Sequence, residues 1–251
     1  VLISLVPAWL RTEGVGLKEI GLFSLIGLPY VWKFLWSPLL DRYSLPLLFY
    51  RPGLRRSWML STQLLLLITL AMLGFLDPLI HLWYIAWLCL GIAFLSATQD
   101  IVLDAYRRQI LPDQELGLGN SIHVNAYRVA GLVPGSLSFI LSDFLPWNIV
   151  FVVTSAFVLV GIILTLSVSE PTSNHNQPAT LRAAIIDPFD DFLSRQGVKQ
   201  AFLILIFMLL YKLGDSMATA LATPFYLDMG YSKTEIGFVA KNAALWPMII
   251  G

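Results

Sequence analysis

Eight long apolar runs divide the chain, and the complete ones are long enough to cross a lipid bilayer. A spanning helix needs about 20 mainly apolar residues, and short polar connectors separate the runs. We predict membrane helices at 1–9, 19–41, 57–76, 82–106, 117–142, 148–169, 199–225 and 234–251. Strand-like alternation is absent from these runs. Because lipid offers no hydrogen-bond partner to free backbone groups, the runs predict helices that pack as a bundle.

The predicted fold class is therefore all-α, a polytopic membrane helical bundle. The chain starts and stops inside apolar runs, at Val1 and Gly251, so we expect a piece of a longer membrane protein. Within it we predict seven full or nearly full spans, with residues 1–9 as an N-terminal stub. Only 13% of the residues are charged, against about 25% in soluble domains, which supports this interpretation.

Positive charges are distributed unevenly over the connectors. One set of alternate loops holds Arg42, Arg51, Arg55, Arg56, Arg107, Arg108, Arg182, Arg195 and Lys199, and the other set holds Arg11, Lys18 and Lys233. Cytoplasmic loops carry the excess of Lys and Arg in membrane proteins. The loops 42–56, 107–116 and 170–199 are therefore predicted to face the cytoplasm.

A long polar connector divides the chain into two parts. Residues 1–169 are predicted to form an N-terminal six-helix half with a truncated first helix. Residues 199–251 are predicted to start a C-terminal half, with span seven and part of span eight. Between them, residues 170–198 are predicted to be a cytoplasmic linker with an amphipathic helix, since its apolar residues recur at helical spacing. Six spans followed by a long loop and more spans are typical of transporters built from two halves.

Ionisable and amide side chains lie inside the predicted spans, where a charge costs roughly 2.5–3.5 kcal/mol on insertion scales. They are Lys33, Gln99, Asp100, Asp104, Arg128, Lys212, Asp215, Lys241 and Asn242. The spacings of Asp100 with Asp104, and of Lys212 with Asp215, place each pair on one helix face. Two interpretations stay open: ion pairs that only hold helices together, or a polar cavity that handles substrate and protons. The depth of the acids depends on whether their helix ends near Asp104 or continues to Gln109.

The second span ends in Asp41-Arg42 and leads into a basic loop. One hypothesis is a gate in which Asp41 closes against a loop arginine. The other is an ordinary helix end followed by cytoplasmic charges. The residues alone leave both open.

No pattern in the sequence is typical of an enzyme, a metal site or a nucleic-acid surface. The formal net charge is zero, and there are one cysteine and three widely separated histidines. No Gly-x-Ser-x-Gly elbow occurs, and Leu213-Gly214-Asp215 matches the aspartyl-protease motif only in part. We therefore predict a protein that is not an enzyme, with no cofactor, no metal and no nucleic-acid partner.

The chain resembles the major facilitator superfamily, and within it the AmpG-type muropeptide permeases. The segments that carry the resemblance are Ala8-Trp9-Leu10-Arg11, Tyr30-Val31-Trp32-Lys33-Phe34-Leu35-Trp36-Ser37-Pro38-Leu39-Leu40-Asp41-Arg42-Tyr43, Ser96-Ala97-Thr98-Gln99-Asp100-Ile101-Val102-Leu103-Asp104-Ala105, Tyr127-Arg128, Tyr211-Lys212-Leu213-Gly214-Asp215 and Lys241-Asn242. The acetyl-CoA transporters of the same superfamily are also similar. These segments are spread over essentially the whole chain.

The resemblance implies a secondary active transporter in the bacterial inner membrane. It would import anhydromuropeptides, GlcNAc-anhydroMurNAc with or without a stem peptide, by proton symport for peptidoglycan recycling. An acetyl-CoA or other anionic-metabolite transporter is the alternative. The implied gating residues are Asp41 and Arg42, and the implied proton-coupling residues are Asp100, Asp104 and Asp215. The implied substrate-binding residues are Tyr30, Trp32, Lys33, Trp36, Gln99, Tyr127, Arg128, Lys212, Lys241 and Asn242.

The buried cations are predicted to form one anion-binding cluster. Lys33, Arg128 and Lys212 come from three different spans. In the empty protein we expect Asp100, Asp104 and Asp215 to balance them. Stem-peptide carboxylates would then replace these internal partners, which gives the differential interaction that a change of state requires.

Overall fold

The computed structural model describes residues 1–43, 45, 53–171, 193–194 and 197–240, with the backbone alone at 212, 215, 216, 220, 239 and 240. This part of the chain is helical and has no strand. The α-helices are α1 Leu5–Thr12, α2 Leu17–Leu22, α3 Leu28–Trp32, α4 Ser37–Arg42, α5 Leu54–Leu73, α6 Leu82–Ile110, α7 Leu116–Ala130, α8 Ser138–Phe144, α9 Trp147–Ala156, α10 Val158–Ser167, α11 Val198–Asp228 and α12 Lys233–Glu235. Shorter 3-10 turns lie at Phe23–Gly27, Lys33–Leu35 and Asp113–Glu115, and π turns at Val133–Leu137 and Ile236–Ala240.

Four of the helical stretches are long and apolar enough to cross a membrane on their own. They are Leu54–Leu73, Leu82–Ile110, Asp113–Phe144 and Trp147–Ser167. Large apolar side chains such as Trp83 and Trp87 point outward from this bundle, which suits a surface in contact with lipid. The prediction of an all-α membrane bundle is confirmed.

The second span differs from the prediction of one helix over 19–41. It is broken into α2, α3 and α4, with 3-10 turns between the first two and after the second. Pro29 and Pro38 each stand in the first turn of a new segment. Proline has no N–H and clashes with the carbonyl four residues back, so it starts a helical segment more easily than it continues one.

Two ends of the bundle can be told apart by the residues that meet there. At the basic end, Arg55 contacts Asp41, Gln109 and Glu170, which joins the loops in which basic residues are concentrated. At the opposite end, Arg11 contacts Asp228, and Lys233 contacts Asp143. Alternate loops therefore lie together, as the charge distribution predicts.

The main hydrophobic core lies toward the opposite end. It is formed by α1, by the facing ends of α5 and α6, by α8 and α9, and by Ile236 from beyond the linker. Trp9 is buried at its centre, with its ring centroid 5.0 Å from Phe151 and 6.5 Å from Trp147. A smaller cluster of Leu40, Met59 and Val102 packs closer to the basic end.

The division into two halves and a linker stays a prediction. Most of the linker 170–198, including the predicted amphipathic helix, lies outside the described residues. So does the chain after residue 240, with Lys241 and Asn242. The start of the eighth span is present as α12 and the π turn that follows it.

Candidate functional site

Lys33 of the broken second span lies against the middle of α6. Lys33 begins the short 3-10 turn between α3 and α4, and its ammonium group pairs with the carboxylate of Asp100. Each side chain keeps about a third of its surface accessible, 33% for Lys33 and 38% for Asp100. The helices around the pair therefore enclose it only in part.

The structure settles how deep Asp100 lies along its helix. The helix continues through Gln109 to Ile110, ten residues beyond Asp100. At a rise of 1.5 Å per residue, this places Asp100 about 15 Å from the basic end of α6. The ion pair therefore lies well away from the end of α6, and Asp104 lies closer to the basic end.

Two aromatic side chains of the second span, one before and one after Lys33, contact the part of α6 that precedes Asp100. The Tyr30 hydroxyl donates a hydrogen bond to Ser96 Oγ, at 2.5 Å. Trp36 Nε1 donates to Thr98 Oγ1 at 3.1 Å, and its ring lies 4.8 Å from that of Phe94. The result is a charged pair bordered by amphipathic rings, an arrangement that fits a ligand with both charged and flat surfaces.

Ser96 and Thr98 were not among the predicted site residues. The signal for them is the run of small and hydroxyl residues Ser96-Ala97-Thr98 that precedes Gln99 and Asp100. Small residues allow helices to approach closely, and hydroxyl groups can bond across the gap.

Gln99 contacts α5, and its expected place beside the substrate stays a prediction. Its side-chain oxygen accepts a hydrogen bond from Thr62 of α5, and Thr62 is buried. Successive residues of an α-helix point about 100° apart, so the side chains of Gln99 and Asp100 contact different neighbouring helices. Gln99 therefore holds α6 against α5.

Asp104 lies one turn of α6 closer to the basic end than Asp100. Its carboxylate pairs with Arg107, one turn further along the same helix, at 2.8 Å. The two residues line a recess of about 240 Å³ near the basic end with Arg108, Leu116 and Asn120. The expectation that Asp104 helps to balance three cations stays a prediction, since the side chains of Lys212 and Asp215 lie outside the described part of the chain.

The other predicted residues with a described position lie on α3, α7 and α11. Tyr127 and Arg128 lie in the last turn of α7, and the Tyr127 side chain is 60% exposed. Trp32 packs beside Phe34, with 6.1 Å between the ring centroids. Lys212 and Asp215 lie in α11, but their side chains are outside the described part of the chain. Their grouping with Lys33 stays a prediction.

Asp41 contacts a loop arginine at the basic end. Arg55 Nη1 lies 2.7 Å from Asp41 Oδ1, and the Arg55 side chain is only 7% exposed. Arg55 Nε also donates to Gln109 Oε1 at 3.2 Å, so three helices meet at this one guanidinium. Arg42 lies over the Tyr43 ring, 5.9 Å from its centroid. The role of Asp41 and Arg42 in gating remains a prediction.

Glu170 caps the first turn of α5, although the two are far apart in sequence. Its two carboxylate oxygens accept hydrogen bonds from the backbone N–H groups of Arg55 and Arg56, at 2.7 and 3.0 Å. A carboxylate at this position satisfies two donors that have no partner within the helix.

We therefore expect Glu170→Ala to lower the free energy of unfolding of the full-length protein by about 1–2 kcal/mol, as loss of a helix N-terminal acceptor does. Thermal unfolding in detergent measures this, with Glu13→Ala, an exposed acid at the opposite end, as the matched control. Equal melting temperatures for the two variants would contradict the prediction.

Comparison with known proteins agrees with the fold. The family model of the Major Facilitator Superfamily matches residues 1–251. An uncharacterized protein of Haemophilus influenzae is 50% identical over 254 residues, covering 100% of this chain and 58% of the relative. The anhydromuropeptide permease of Escherichia coli K12 is 44% identical over 246 residues, covering 97% of this chain and 49% of the relative.

A less similar relative is also matched over only part of its length. Putative transporter AmpG 4 of Rickettsia felis is 30% identical over 258 residues, covering 100% of this chain and 61% of the relative. The chain thus spans about half to three-fifths of the length of these relatives. Because the family model covers the whole sequence, this chain belongs to the Major Facilitator Superfamily, a family of membrane transporters and not of enzymes.

Proposed function

We propose that the protein is a secondary active transporter that carries anhydromuropeptides into the cytoplasm together with protons. The observation that carries the proposal is the interior Lys33–Asp100 ion pair, bordered by Tyr30 and Trp36. The names of the Escherichia coli relatives, both anhydromuropeptide permeases, support the choice of substrate.

The ion pair offers a direct way to couple a proton to an anionic substrate. While Asp100 is ionised, it occupies the Lys33 ammonium group. A proton on Asp100 removes its charge and releases Lys33 to bind a carboxylate of the substrate. A charge in the membrane interior needs a partner, so substrate and proton then bind preferentially together. Asp104 and Asp215 are further proposed sites of proton binding.

The aromatic side chains suit the sugar part of the substrate. Tyr30, Trp32 and Trp36 lie within one turn or two of Lys33 on the second span. A disaccharide presents flat apolar ring faces that pack on aromatic rings, while its anhydro-sugar and peptide carry the polar groups. The cations Lys33, Arg128, Lys212 and Lys241, with Asn242 and Tyr127, are proposed to bind the peptide end.

The charge distribution predicts which end of the protein faces the cytoplasm. We propose that it lies in the bacterial inner membrane with its basic end in the cytoplasm, as the excess of Lys and Arg there predicts. Transport toward this end would serve peptidoglycan recycling. The bilayer, protons and the muropeptide are its proposed partners, and no cofactor is required.

Uptake by cells that lack their own permease tests the proposal. The full-length protein is expected to accumulate labelled GlcNAc-anhydroMurNAc peptide, and unlabelled muropeptide should compete with it while acetyl-CoA should not. Lys18→Gln, which removes an exposed cation at the opposite end, serves as the control for general charge effects. Competition by acetyl-CoA without uptake of muropeptide would favour the alternative, an acetyl-CoA or other anionic-metabolite transporter.

The cation cluster makes a second prediction about substrate preference. Arg128→Gln and Lys212→Gln are expected to reach the membrane in normal amounts and to bind muropeptides at least about tenfold more weakly, as loss of a charged hydrogen bond does. The loss should be larger for substrates with a full stem peptide, since these carry more carboxylates. Binding assays with and without the stem peptide measure the difference. Reduced protein yield with equal losses for both substrates would indicate structural ion pairs instead.

A further inference from the structure

A recess near the basic end begins one turn along α6 from the Lys33–Asp100 pair. It has a volume of about 240 Å³ and lies between the end of α6 and the start of α7. The lining residues are Asp104, Arg107, Arg108, Leu116 and Asn120. Asp104 follows Asp100 by four residues, so the recess adjoins the same face of α6 that carries the ion pair.

The Arg107 guanidinium group uses only part of its hydrogen-bonding capacity within the described residues. Nη2 contacts Asp104 Oδ1 at 2.8 Å, whereas Nη1 is buried and has no hydrogen-bond partner in the described part of the chain. An unpaired buried donor is unfavourable, and the nitrogens of a guanidinium group donate but do not accept. A group that completes this site therefore has to bring an acceptor atom, and a negatively charged oxygen suits a cation best.

Arg108 and Asn120 add further donors around the recess. Arg108 Nη1 contacts Asp113 Oδ1 at 2.7 Å, and the Arg108 side chain is 55% exposed. Asn120, in the second turn of α7, carries a side-chain amide that can donate two hydrogen bonds. Because Asp104 and Asp113 already balance the two arginines, we expect the recess to bind a single anionic group, and to bind it weakly.

The two helices that line the recess also carry residues of the proposed substrate site. On α7, Asn120 lines the recess and Tyr127 lies seven residues further along. Seven residues make two turns, so both side chains lie on one face of α7, about 10 Å apart along its axis. On α6, Asp104 and Asp100 have the same relation over one turn. On each helix, one face therefore carries both a recess residue and a residue of the proposed site.

We propose that this recess is a second substrate site, which binds a carboxylate of the stem peptide while the substrate leaves toward the basic end. The inference rests on the proposed function, which supplies the substrate and the direction. When Asp100 loses its proton, it takes back Lys33 and displaces the substrate carboxylate. Toward the basic end along the same face of α6, this carboxylate reaches Arg107 and accepts a hydrogen bond from Nη1.

The size of the recess agrees with a site for one end of the substrate. Pockets that enclose a whole ligand measure about 300–1,000 Å³, whereas the recess measures about 240 Å³. It accommodates the end of a peptide and leaves the disaccharide outside. Weak binding suits this step, because a site on the way out has to release the substrate again.

Protection of a cysteine in the recess tests this inference on the full-length protein. Leu116→Cys places a thiol in the lining, while the native Cys89 is buried. A small uncharged maleimide then reports whether the recess is occupied. We expect the free stem peptide, without sugar, to slow the modification, and the same peptide with amidated carboxylates to leave it unchanged. Gln114→Cys, exposed in the turn before α7 and outside the recess, should react equally fast with and without peptide.

Variants of Arg107 identify the group that binds the peptide. Arg107→Gln should raise the half-protecting peptide concentration by about tenfold or more, as loss of a hydrogen bond to a charged group does. Arg107→Lys should recover part of this loss, since it keeps the charge but not the planar fork. Asn120→Ala leaves the Arg107–Asp104 pair intact and should raise the concentration by about threefold, so it tests the recess even if Arg107→Gln fails to fold. Arg56→Gln removes a cation that binds the end of α10 and is the matched control.

Lys33→Gln separates the recess from the Lys33–Asp100 site. This variant should keep the half-protecting concentration of the parent protein, because the peptide binds the recess without Lys33. Loss of protection in Lys33→Gln, with normal protection in Arg107→Gln, would assign the effect to the other site and overturn the inference. Protection by inorganic phosphate but not by the peptide would overturn it too, as would no protection by either ligand.

Uptake of muropeptide by the parent protein is measured separately and keeps the two proposals apart. Uptake without protection of the recess would refute the second site and leave the proposed function standing. Protection by the peptide in a protein that takes up no muropeptide would refute the proposed substrate, while the carboxylate site in the recess would stand.

Discussion

Replacing Asp100 with Asn is expected to abolish gradient-driven accumulation of muropeptide while leaving exchange of substrate across the membrane. The variant keeps the shape of the side chain but can no longer bind a proton and lose it again. Lys33, the partner of Asp100, is then permanently without its counter-charge. Substrate can still enter the site and leave it, but its movement is no longer tied to that of a proton.

The size of the effect follows from the energy that a proton supplies. One charge that crosses a potential of 100 mV gains about 2.3 kcal/mol, which corresponds to roughly a 50-fold concentration ratio. Without coupling, the ratio should fall to about one, the equilibrium value for a carrier without a driving force. Accumulation of labelled substrate in vesicles with an imposed proton gradient measures the ratio directly.

Asp104→Asn is the natural companion variant. Asp104 binds Arg107 near the basic end, so we expect a smaller loss of accumulation than for Asp100. Asp113→Asn, which removes an exposed acid paired with Arg108, should leave accumulation unchanged and serves as the control. If the Asp100 and Asp104 variants both retain full accumulation, neither acid couples transport to protons.

Lys33→Gln is expected to weaken substrate binding and to do so selectively. Loss of a hydrogen bond to a charged group corresponds to about a tenfold or greater loss of affinity. The loss should be larger for muropeptides that carry a full stem peptide, since Lys33 is proposed to bind a carboxylate. Equilibrium binding of substrates with and without the peptide to the full-length protein provides the measurement.

The double variant Lys33→Gln/Asp100→Asn separates a transport role from a structural one. Each single change leaves one interior charge unpaired, whereas the double change leaves none, so the double variant should recover folded yield. Under our account it still fails to accumulate substrate and still binds poorly. Full recovery of uptake in the double variant would show that the pair only holds the second span against α6.

The helical spans could be predicted closely from the sequence, because hydropathy dictates what crosses a membrane. The predicted segment 148–169 corresponds to α9 and α10, and 57–76 overlaps α5. The breaks in the second span were missed, although Pro29 and Pro38 are visible in the sequence. Hydropathy averages over a window of residues and does not register the loss of a single backbone donor.

The partners of the interior charges could not be predicted in the same way. The sequence identified Lys33 and Asp100 as candidates, but their pairing depends on how a broken helix turns toward α6. Spacing placed Asp104 on the same face as Asp100, yet the structure pairs it with Arg107 on its own helix. Helix periodicity fixes the direction of a side chain but not the neighbour that it meets.

The contacts between the halves were beyond the reach of sequence patterns. Asp143 and Thr234 are 91 positions apart, and each looks like an ordinary loop residue at a helix end. Only the packing of α8 against the start of the eighth span reveals that they bind each other. Gly237 likewise has no special local conformation, and its importance lies in the room that it leaves for Phe139.

Proton-driven uptake by the purified full-length protein in liposomes tests the central claim most directly. Labelled GlcNAc-anhydroMurNAc peptide is added outside, and the outside is made acidic relative to the inside. Our account predicts accumulation of the substrate above its external concentration, which a protonophore collapses and Asp100→Asn prevents. Uptake that is the same with and without the proton gradient, or no uptake of muropeptide at all, would contradict it.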